Sequence, residues 1–571
     1  MGGPARSTGA RGHRGGPRRV GCKAICVLHV ACGLPALAGA RVRKPWLQRE
    51  LELEDPFMVD PGGRLPCDDP VRKAPVRFPD DLVIGDGAKG LDMWSGYVNV
   101  TDKDYLFYWF AAADVGAPVD APLIIWTNGG PGCSSMEGLT TEHGPLILYG
   151  IKEDGFVTPG KLSRNPYSWN REAHIIYLDQ PRYVGFSCGT GPYVTSSVDA
   201  GRDVVNFIRG WRTLFPEHAN RQVILAGESY GGHYVSAWSS AVMDYNNAGV
   251  SDPIRLIGLI IGNGIVNQTI QGRSFPEFAR RHGLLPENIT VASDWGAREI
   301  VKNYIGYEPN YYDYRLTDQG CCGCSSYNYK AWSDFMLRQE VTEALHVCGN
   351  SGTKAFGGCA AGCIQMPAFD KFDTFSYSGA LSRALDSGIR VSFYYGMSDT
   401  ACDYLGGYNM ALALEWSGAK EFAATPMQDL VVGGLPSGGV KEYGGLTWLQ
   451  VEGAGHMVPI NNPAAAYYAL STVLPGKATL SGLPPMGPAF SQWFNEREEV
   501  AQPSISTMYY VEVAAVAMCF LSSVLLTIGL AVTCRTHRRS VMSQRGSRHQ
   551  QAWSSLLCLS SELPTMRSPC E

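Results

Sequence analysis

Residues 224–235 read ILAGESYGGHYV, and this stretch decides the fold. The run Val223–Ala226 is short, apolar and bounded by glycine, the pattern of a buried strand. Gly227-Glu228-Ser229-Tyr230-Gly231 then has the G-x-S-x-G spacing of a serine on a sharp turn from strand to helix. Such a turn exposes the hydroxyl, with the helix N-terminus beneath it. The spacing alone is weak, because many glycine-rich turns match it. It also puts a carboxylate directly before a serine that would have to generate an oxyanion, which electrostatics disfavours unless Glu228 has a task of its own.

The rest of the chain supports the strand reading. LIIW (123–126), IIYL (175–178), VILA (223–226), LIGLIIG (256–262) and VSFYYG (391–396) are apolar runs, each followed by turn residues and a helical pattern. This alternation predicts an α/β fold, a mostly parallel sheet with helices on both faces. Residues from about 270 to 370 break the rhythm with aromatic, Gly- and Cys-rich sequence and read as an insertion capping the sheet. Over 571 residues the hydrophobic fraction is 45%, the charged fraction 18% and the formal net charge −5. These are values of an ordinary folded protein without a basic footprint for nucleic acid.

The two ends carry topology signals. Arg6, Arg11, Arg14, Arg18, Arg19 and Lys23 precede the apolar run AICVLHVACGLPALAGA, which closes on Ala38-Gly39-Ala40. A cationic region, an apolar stretch and a small-residue cleavage pattern predict a signal peptide over residues 1–40. A disordered Gly/Arg-rich leader is the plainer alternative. Residues 513–532, VAAVAMCFLSSVLLTIGLAV, carry no charge and have the length an α-helix needs to cross a bilayer. Arg535, His537, Arg538 and Arg539 follow this run, while Glu496, Glu498, Glu499 and Glu512 precede it, so the cationic flank marks the cytosol. The expectation is a single-pass type I membrane protein whose body faces the lumen of the secretory pathway: Golgi, endosome or vacuole, or the cell surface. Residues 41–75 form an N-terminal segment, 76–475 the body, 476–512 a proline-bearing stalk and 533–571 a cytoplasmic tail.

Cysteine usage agrees with an oxidising compartment. Of 17 cysteines, Cys321, Cys322, Cys324, Cys348, Cys359 and Cys363 crowd into the insertion. Disulfides are the simplest reading, because a zinc cluster would need a regular C-x-x-C pair and a clear histidine partner. No metal or cofactor is expected. Asn99-Val-Thr, Asn267-Gln-Thr and Asn288-Ile-Thr are N-glycosylation acceptors in such a compartment.

A nucleophilic serine needs a base and a group that orients the base. YYGMSDTACDYLGG places Asp399 just after the strand VSFYYG, and VEGAGHMVP places His456 in a Gly-flanked loop. A loop histidine and a helix-capping aspartate would each be ordinary taken separately. Their order after Ser229, each behind a successive strand, predicts a triad. The segment WTNGGPGCSSMEG (126–138) follows the strand LIIW. Its glycines let backbone N–H groups converge on one point, as an oxyanion hole requires. The G-K-[ST] ending of a phosphate loop is absent.

WTNGGPGCSSMEG with Glu142-His143-Gly144-Pro145, LDQPRYVGFS, GESYGGHYV, GMSDTACDYLGG and GAGHMVP occur in the order found in serine carboxypeptidases, peptidase S10. The chain resembles that family over roughly residues 76–475, and looks most like its membrane-anchored Golgi type, the pro-protein-processing carboxypeptidase D. The resemblance implies an α/β-hydrolase fold with a cap subdomain. It also implies a serine-type carboxypeptidase that releases C-terminal residues through an acyl-enzyme, without a cofactor. Carried over by position, Ser229 is the nucleophile, His456 the base and Asp399 its orienter, and the N–H groups of Gly130 and Tyr230 form the oxyanion hole.

The resemblance also gives Glu228 its task. Paired with Glu142, and joined by Asn128 and the Gly129 N–H, it would hold the terminal carboxylate of the substrate. Two carboxyls in contact cannot both ionise cheaply, so one keeps a proton and can donate it to a third carboxylate. Ionisation of the pair at higher pH would release that grip, so peptidase activity should favour acid. Thr127 stands where the family often has Leu or Ser, and Met397-Ser398 where Asp-x is common; neither removes a catalytic group. Cys402 matches a position that is a free cysteine in some members, and Cys133 is expected to pair with Cys359 or Cys363.

Glu137 and Met457 fall at the pocket for the leaving residue, where the charge of Glu137 would favour Lys or Arg. Alternatively Glu137 caps the helix that follows the glycine loop. Peptide and protein C-termini are the expected partners, with the membrane reached through one helix. A serine-carboxypeptidase-like acyltransferase and a non-catalytic protective or binding scaffold are the competing readings. Nothing in the sequence indicates an oligomeric state.

Overall fold

The computed structural model describes Cys67 and residues 69–475, apart from 153–154, 292–293, 308, 317–328, 349–368 and 370. The leader, the stalk, the apolar run 513–532 and the tail lie outside the described residues, as do Cys321, Cys322, Cys324, Cys359 and Cys363. Among the described residues no helix is long and apolar enough to cross a membrane.

The frame is a mixed sheet of twelve strands beside a separate hairpin. In chain order the first strands are β1 (Ala74–Pro75), β2 (Met93–Asn99), β3 (Asp104–Ala111) and β4 (Leu123–Thr127). The hairpin β5 (Leu146–Lys152) and β6 (Gly155–Arg164) comes next, then β7 (His174–Leu178), β8 (Cys188–Gly189) and β9 (Val223–Glu228). β10 (Leu256–Gly262), β11 (Arg390–Gly396), β12 (Gln428–Val432), β13 (Leu435–Tyr443) and β14 (Leu446–Val451) complete the set. The spatial order is β1-β2-β3-β7-β4-β9-β10-β11-β14-β13-β12, with β8 on β3.

The block β7-β4-β9-β10-β11-β14 is parallel throughout. The apolar runs read as strands in the sequence are β4, β7, β9, β10 and β11, all inside this block. The expectation of a mostly parallel sheet therefore holds at the centre, while both flanks are antiparallel. Those flanks are hairpins of chain neighbours, β2 with β3 and β12 through β13 to β14, and they went unread because their strands mix polar residues and glycine into the apolar pattern.

The central strands are buried on both faces, which is why they read as continuous apolar runs. Along β9, Val223 and Leu225 enter one core while Ile224 and Ala226 enter the other. The first core is closed by α1 (Ser197–Leu214) and α2 (Gly231–Asn247) through Val204, Phe207, Ile208, Trp211, Tyr234 and Trp238. The helix Pro463–Val473 closes the second through Ala465, Ala469 and Leu470. Helix α1 starts where Ser196 accepts the Asp199 N–H, with Asp199 in the first turn favoured by the helix dipole. Its apolar residues at helical spacing face the sheet, each contributing about 1.5–3 kcal/mol by burial.

Between β10 and β11 the described residues form short helices: Gln268–Gln271, Phe275–Arg281, Asp294–Ile305, Tyr329–Met336 and Gln339–Ala344. Trp332 of this region is buried in the second core and donates its indole N–H to Thr140, at 2.8 Å. Cys67 and Cys188 form a disulfide. Cys133 is also disulfide-bonded, to a partner outside the described residues, and Cys402 is free and buried. Of the three sequon asparagines, Asn99 and Asn288 are exposed, while Asn267 is half-buried and accepts the Ile270 N–H as a helix cap.

Candidate active site

The carboxyl ends of the parallel strands converge, and the residues that follow them build the site. Asn128 follows β4, Ser229 follows β9, Asn263 follows β10, Asp399 lies just past β11 and His456 just past β14.

Ser229 occupies the turn between β9 and α2 with φ of +61°, a left-handed conformation uncommon outside glycine. Its N–H donates to the Gly262 carbonyl at 3.0 Å, and its own carbonyl accepts from Gly232 (3.0 Å) and Ile265 (2.8 Å). Gly232 must lack a side chain, because a Cβ there would lie 2.3 Å from the Ile265 carbonyl oxygen. The strained backbone persists because its neighbours determine it from three sides.

His456 places Nδ1 2.7 Å from Asp399 Oδ2, and both side chains are buried. The carboxylate can only accept, so Nδ1 donates and Nε2 is left to receive a proton. The Asp399 carboxylate also accepts from Asn263 Nδ2 (2.8 Å), the Ala401 N–H (2.8 Å) and the Cys402 N–H (3.2 Å). Asn263 was missed in the sequence, although the Gly-Asn-Gly that ends β10 marks a turn at the sheet's carboxyl edge. The polar atoms of Asp399, Cys402 and His456 lie within 4.8 Å of one another. Cys402 is hydrogen-bonded to Ser229; burial, and then the charges of Asp399 and Asp403, push its thiol well above the ordinary range and keep it neutral.

The insertion takes part in this arrangement. The Tyr312 carbonyl accepts the His456 backbone N–H at 2.8 Å, and the Tyr312 ring lies 4.7 Å from the imidazole. The Tyr314 N–H donates to the Ser398 carbonyl at 3.0 Å, and the Thr400 hydroxyl to the Tyr311 carbonyl at 2.6 Å. Residues 311–314 thus brace both loops that carry the Asp399–His456 pair.

The glycine loop lies against the turn that holds Ser229. A Cβ on Gly129 would meet Tyr230 N at 2.5 Å and Ser229 Cβ at 2.8 Å. Among the described residues, no backbone carbonyl takes the N–H of Gly129, Gly130 or Tyr230. The loop is anchored by Asp179, which accepts from the Ser134 hydroxyl (2.6 Å), the Ser135 N–H (2.9 Å) and the Phe186 N–H (2.9 Å). Burial pushes the Asp179 carboxyl up to about 6 in spite of those donors. Asp179 belongs to the motif LDQPRYVGFS, yet its anchoring role could not be read without the partners.

Beside this loop lies an acidic cluster. Asn128 Oδ1 accepts from Trp126 Nε1 (2.8 Å) and the Gly138 N–H (3.2 Å), which aims Nδ2 at Glu228 Oε1, 2.8 Å away. The buried Glu142 carboxyl interacts with Glu228 and Asn128, but among the described residues no donor is aligned on either of its oxygens or on Glu228 Oε2. Burial raises both carboxyls, and the Glu142 and Glu137 charges raise Glu228 further. His143 adds no compensating charge: burial pushes it down to about 3, and its ring stacks on Trp169 at 4.0 Å.

Glu137 does not cap the helical turn Gly138–His143. Its backbone is already helical, its side chain makes no cap hydrogen bond, and it is buried within reach of Glu228. Met457 is buried next to His456. The sequence-predicted residues 128–130, 137, 142, 228–230, 399, 456 and 457 are therefore all drawn to one edge of the sheet.

A serine on a strand-to-helix turn at the carboxyl edge of a parallel sheet, with a hydrogen-bonded Asp–His pair just past two neighbouring strands of the same sheet, is the arrangement of the α/β-hydrolases. Comparison with known proteins narrows the class: the serine carboxypeptidase profile matches residues 85–294 and 290–476, and the chain belongs to the serine carboxypeptidase family. Carboxypeptidase Y homolog A of Trichophyton rubrum is 30% identical over 434 residues, 70% of this chain and 77% of that protein. A serine carboxypeptidase-like protein of Oryza sativa subsp. japonica is 29% identical over 413 residues, 67% of this chain and 92% of that one. The crystal structure of Kex1(delta)p, a prohormone-processing carboxypeptidase from Saccharomyces cerevisiae, matches with a TM-score of 0.60. At 24% identity, over 70% of this chain and 94% of that one, it shows the shared fold. The protein is a serine-type carboxypeptidase.

Proposed function

We propose that the enzyme removes C-terminal residues from peptides by an acyl-enzyme route. Ser229 Oγ attacks the last peptide carbonyl while His456 Nε2 takes its proton, and Asp399 stabilises the imidazolium. The N–H groups of Gly130 and Tyr230 receive the oxyanion. The C–N bond then breaks, His456 returns the proton to the leaving amine, and water, deprotonated by His456, releases the acyl group. The observation that carries this reading is the buried pair Glu142–Glu228, which ends one residue before Ser229. Holding a proton between them, the pair can donate to a terminal carboxylate alongside Asn128 and the Gly129 N–H. Fluorophosphonate labelling of Ser229, with mass spectrometry of residues released from a peptide library, tests this against acyl transfer and against a scaffold.

We assign the leaving-residue pocket to Glu137 and Met457, with a preference for Lys and Arg. Glu137, buried and uninvolved in capping, offers a carboxylate to a basic side chain. A charged pair there supplies about 1.5–3 kcal/mol, roughly 10- to 150-fold in selectivity. Glu137→Leu is expected to weaken or reverse the preference for C-terminal Lys over Phe. Equal release of Lys and Phe by both proteins would remove this assignment.

For the chain as a whole we propose a cleaved leader, glycosylation at Asn99, Asn267 and Asn288, and a lumenal catalytic body tethered through residues 513–532. A truncation after residue 505 should then be secreted, glycosylated and active, while the full chain stays with membranes after carbonate washing. Protection of residues 533–571 from protease in sealed vesicles would contradict the orientation.

A further inference from the structure

We infer that Asp373 is a positioning residue for the oxyanion site, acting through the side chain of Tyr230. The inference rests on the proposed role of the Tyr230 N–H. Asp373 lies outside every motif of the family resemblance, a few residues past the undescribed part of the insertion. Its Oδ2 accepts the Tyr230 hydroxyl at 2.7 Å and the Ser197 hydroxyl at 2.6 Å. Its Oδ1 accepts the Tyr377 hydroxyl at 2.5 Å and the Ser197 and Thr374 N–H groups at 3.2 and 3.0 Å. Ser197 opens α1, so the carboxylate also lies at the positive end of a helix of 18 residues. One side chain thereby joins the start of α1, the segment leading into the helix Ser378–Asp386, and the residue after the nucleophile.

The Tyr230 ring is held on its other sides as well. It stacks on His233 at 4.6 Å with planes 16° apart, and Phe369 meets it edge-on at 5.9 Å. Phe369 and Asp373 form one turn, closed by the Asp373 N–H on the Phe369 carbonyl at 2.7 Å.

This tether matters because of what sits next to it. The peptide between Ser229 and Tyr230 joins a left-handed residue to the first turn of α2, and its N–H is the donor that the proposed mechanism assigns to the oxyanion. Donors stabilise an oxyanion only at 2.7–3.1 Å or so, and small displacements are costly to rate. Fixing the phenol of Tyr230 at its far end limits how far that peptide can swing. A carboxylate suits the task because it accepts from Tyr230, Ser197 and Tyr377 together, and none of them can replace it as a common acceptor.

The test measures kcat and KM for an ester and a peptide with the full chain, and the rate at which a fluorophosphonate labels Ser229. Asp373→Ala is expected to lower kcat and labelling about 10- to 100-fold on both substrates, with KM within about threefold of wild type. Asp373→Asn, which keeps one acceptor oxygen, should recover most of the loss. Tyr230→Phe removes the same hydrogen bond from its other end. The double variant Tyr230→Phe/Asp373→Ala should therefore be no slower than the slower single variant. Additive losses, or a folded Asp373→Ala with kcat within about twofold of wild type, overturn the inference. If Asp373→Ala fails to fold, Tyr230→Phe decides, and an unchanged kcat there overturns it too. Gly130→Ala separates this inference from the reading it rests on, because its Cβ would meet Gly132 N at 2.5 Å and Cys133 N at 2.8 Å. Full activity of Gly130→Ala defeats the oxyanion assignment, whereas loss there beside an intact Asp373→Ala defeats only the role of Asp373.

Discussion

Asparagine in place of Asp399 is expected to lower kcat by about 10³- to 10⁴-fold, with little change in KM. The neighbours of the carboxylate explain the size of the effect. Oδ1 receives the Ala401 N–H, while Oδ2 receives Asn263 Nδ2, the Cys402 N–H and His456 Nδ1. An amide must set its own N–H₂ against one of these groups of donors. Turned toward Ala401, it keeps the histidine tautomer but leaves the imidazolium without a negative partner. Turned toward His456, it faces Asn263 and Cys402 and drives the imidazole proton onto Nε2, where it blocks the base. Both orientations are inactive for reasons that do not involve substrate binding. Initial rates on peptide and ester, with a melting curve to establish folding, check this; a loss of less than about tenfold would mean that Asp399 does not orient the base.

The second large effect is selective. Glu142→Ala is expected to lower kcat/KM for peptides with a free C-terminus by about 10²-fold or more, and for C-terminal amides or esters by only a few-fold. Alanine at position 142 has neither a proton to share with Glu228 nor any donor of its own, so the grip on the terminal carboxylate is lost while Ser229, His456 and Asp399 are untouched. Comparable losses on both substrate types would sink the carboxylate-binding role.

The same pair sets a pH dependence whose sign follows from its burial. Glu142 is raised to about 8, first by desolvation, and Glu228 is raised as well. A carboxyl whose folded value lies above its unfolded value adds stability that is complete below the unfolded value, about 4.5 for Glu142, and is lost as pH rises through about 8. Wild-type melting temperature should therefore fall over that window, and Glu142→Gln should flatten the fall. The ratio of peptide to ester turnover should decline over the same range, because ionisation of the pair repels the substrate's terminus. A constant ratio from acid to alkaline pH would contradict the shared proton.

Much of this architecture was legible in the sequence because strands buried on both faces announce themselves as apolar runs. β4, β7, β9, β10 and β11 are of that kind, and Ser229 and Asp399 follow from which of these strands each one trails. β14 belongs to the same parallel block, but Thr447 and Gln450 break its apolar run and it passed unread, so His456 was placed by its Gly-flanked loop. The supporting residues were illegible for another reason. Asn263, Asp179 and Tyr312 act through partners 136, 45 and 144 positions away in the chain, and nothing local marks such pairings. Asp373 is plainer still: without the fold it is one acidic residue in an aromatic segment. Glu137 could be read two ways from sequence, and the structure shows only that its side chain makes no cap hydrogen bond at the start of the turn Gly138–His143.

The brace at residues 311–314 bears on how this enzyme can be altered. A segment inserted between strands is often taken to be exchangeable, with specificity carried in the insertion and chemistry left in the core. Here the loops of Asp399 and His456 are fastened to each other through the backbone of Tyr311, Tyr312 and Tyr314. A stripped sheet with residues 270–370 removed would be a poor minimal hydrolase, and a chimera that imports a foreign insertion would import a foreign spacing between acid and base. Residues 311–314 and the catalytic loops therefore act as one unit, and because the bonds are made by main-chain atoms of 311–314, insertions or deletions there should disturb the Asp399–His456 spacing more than side-chain substitutions do.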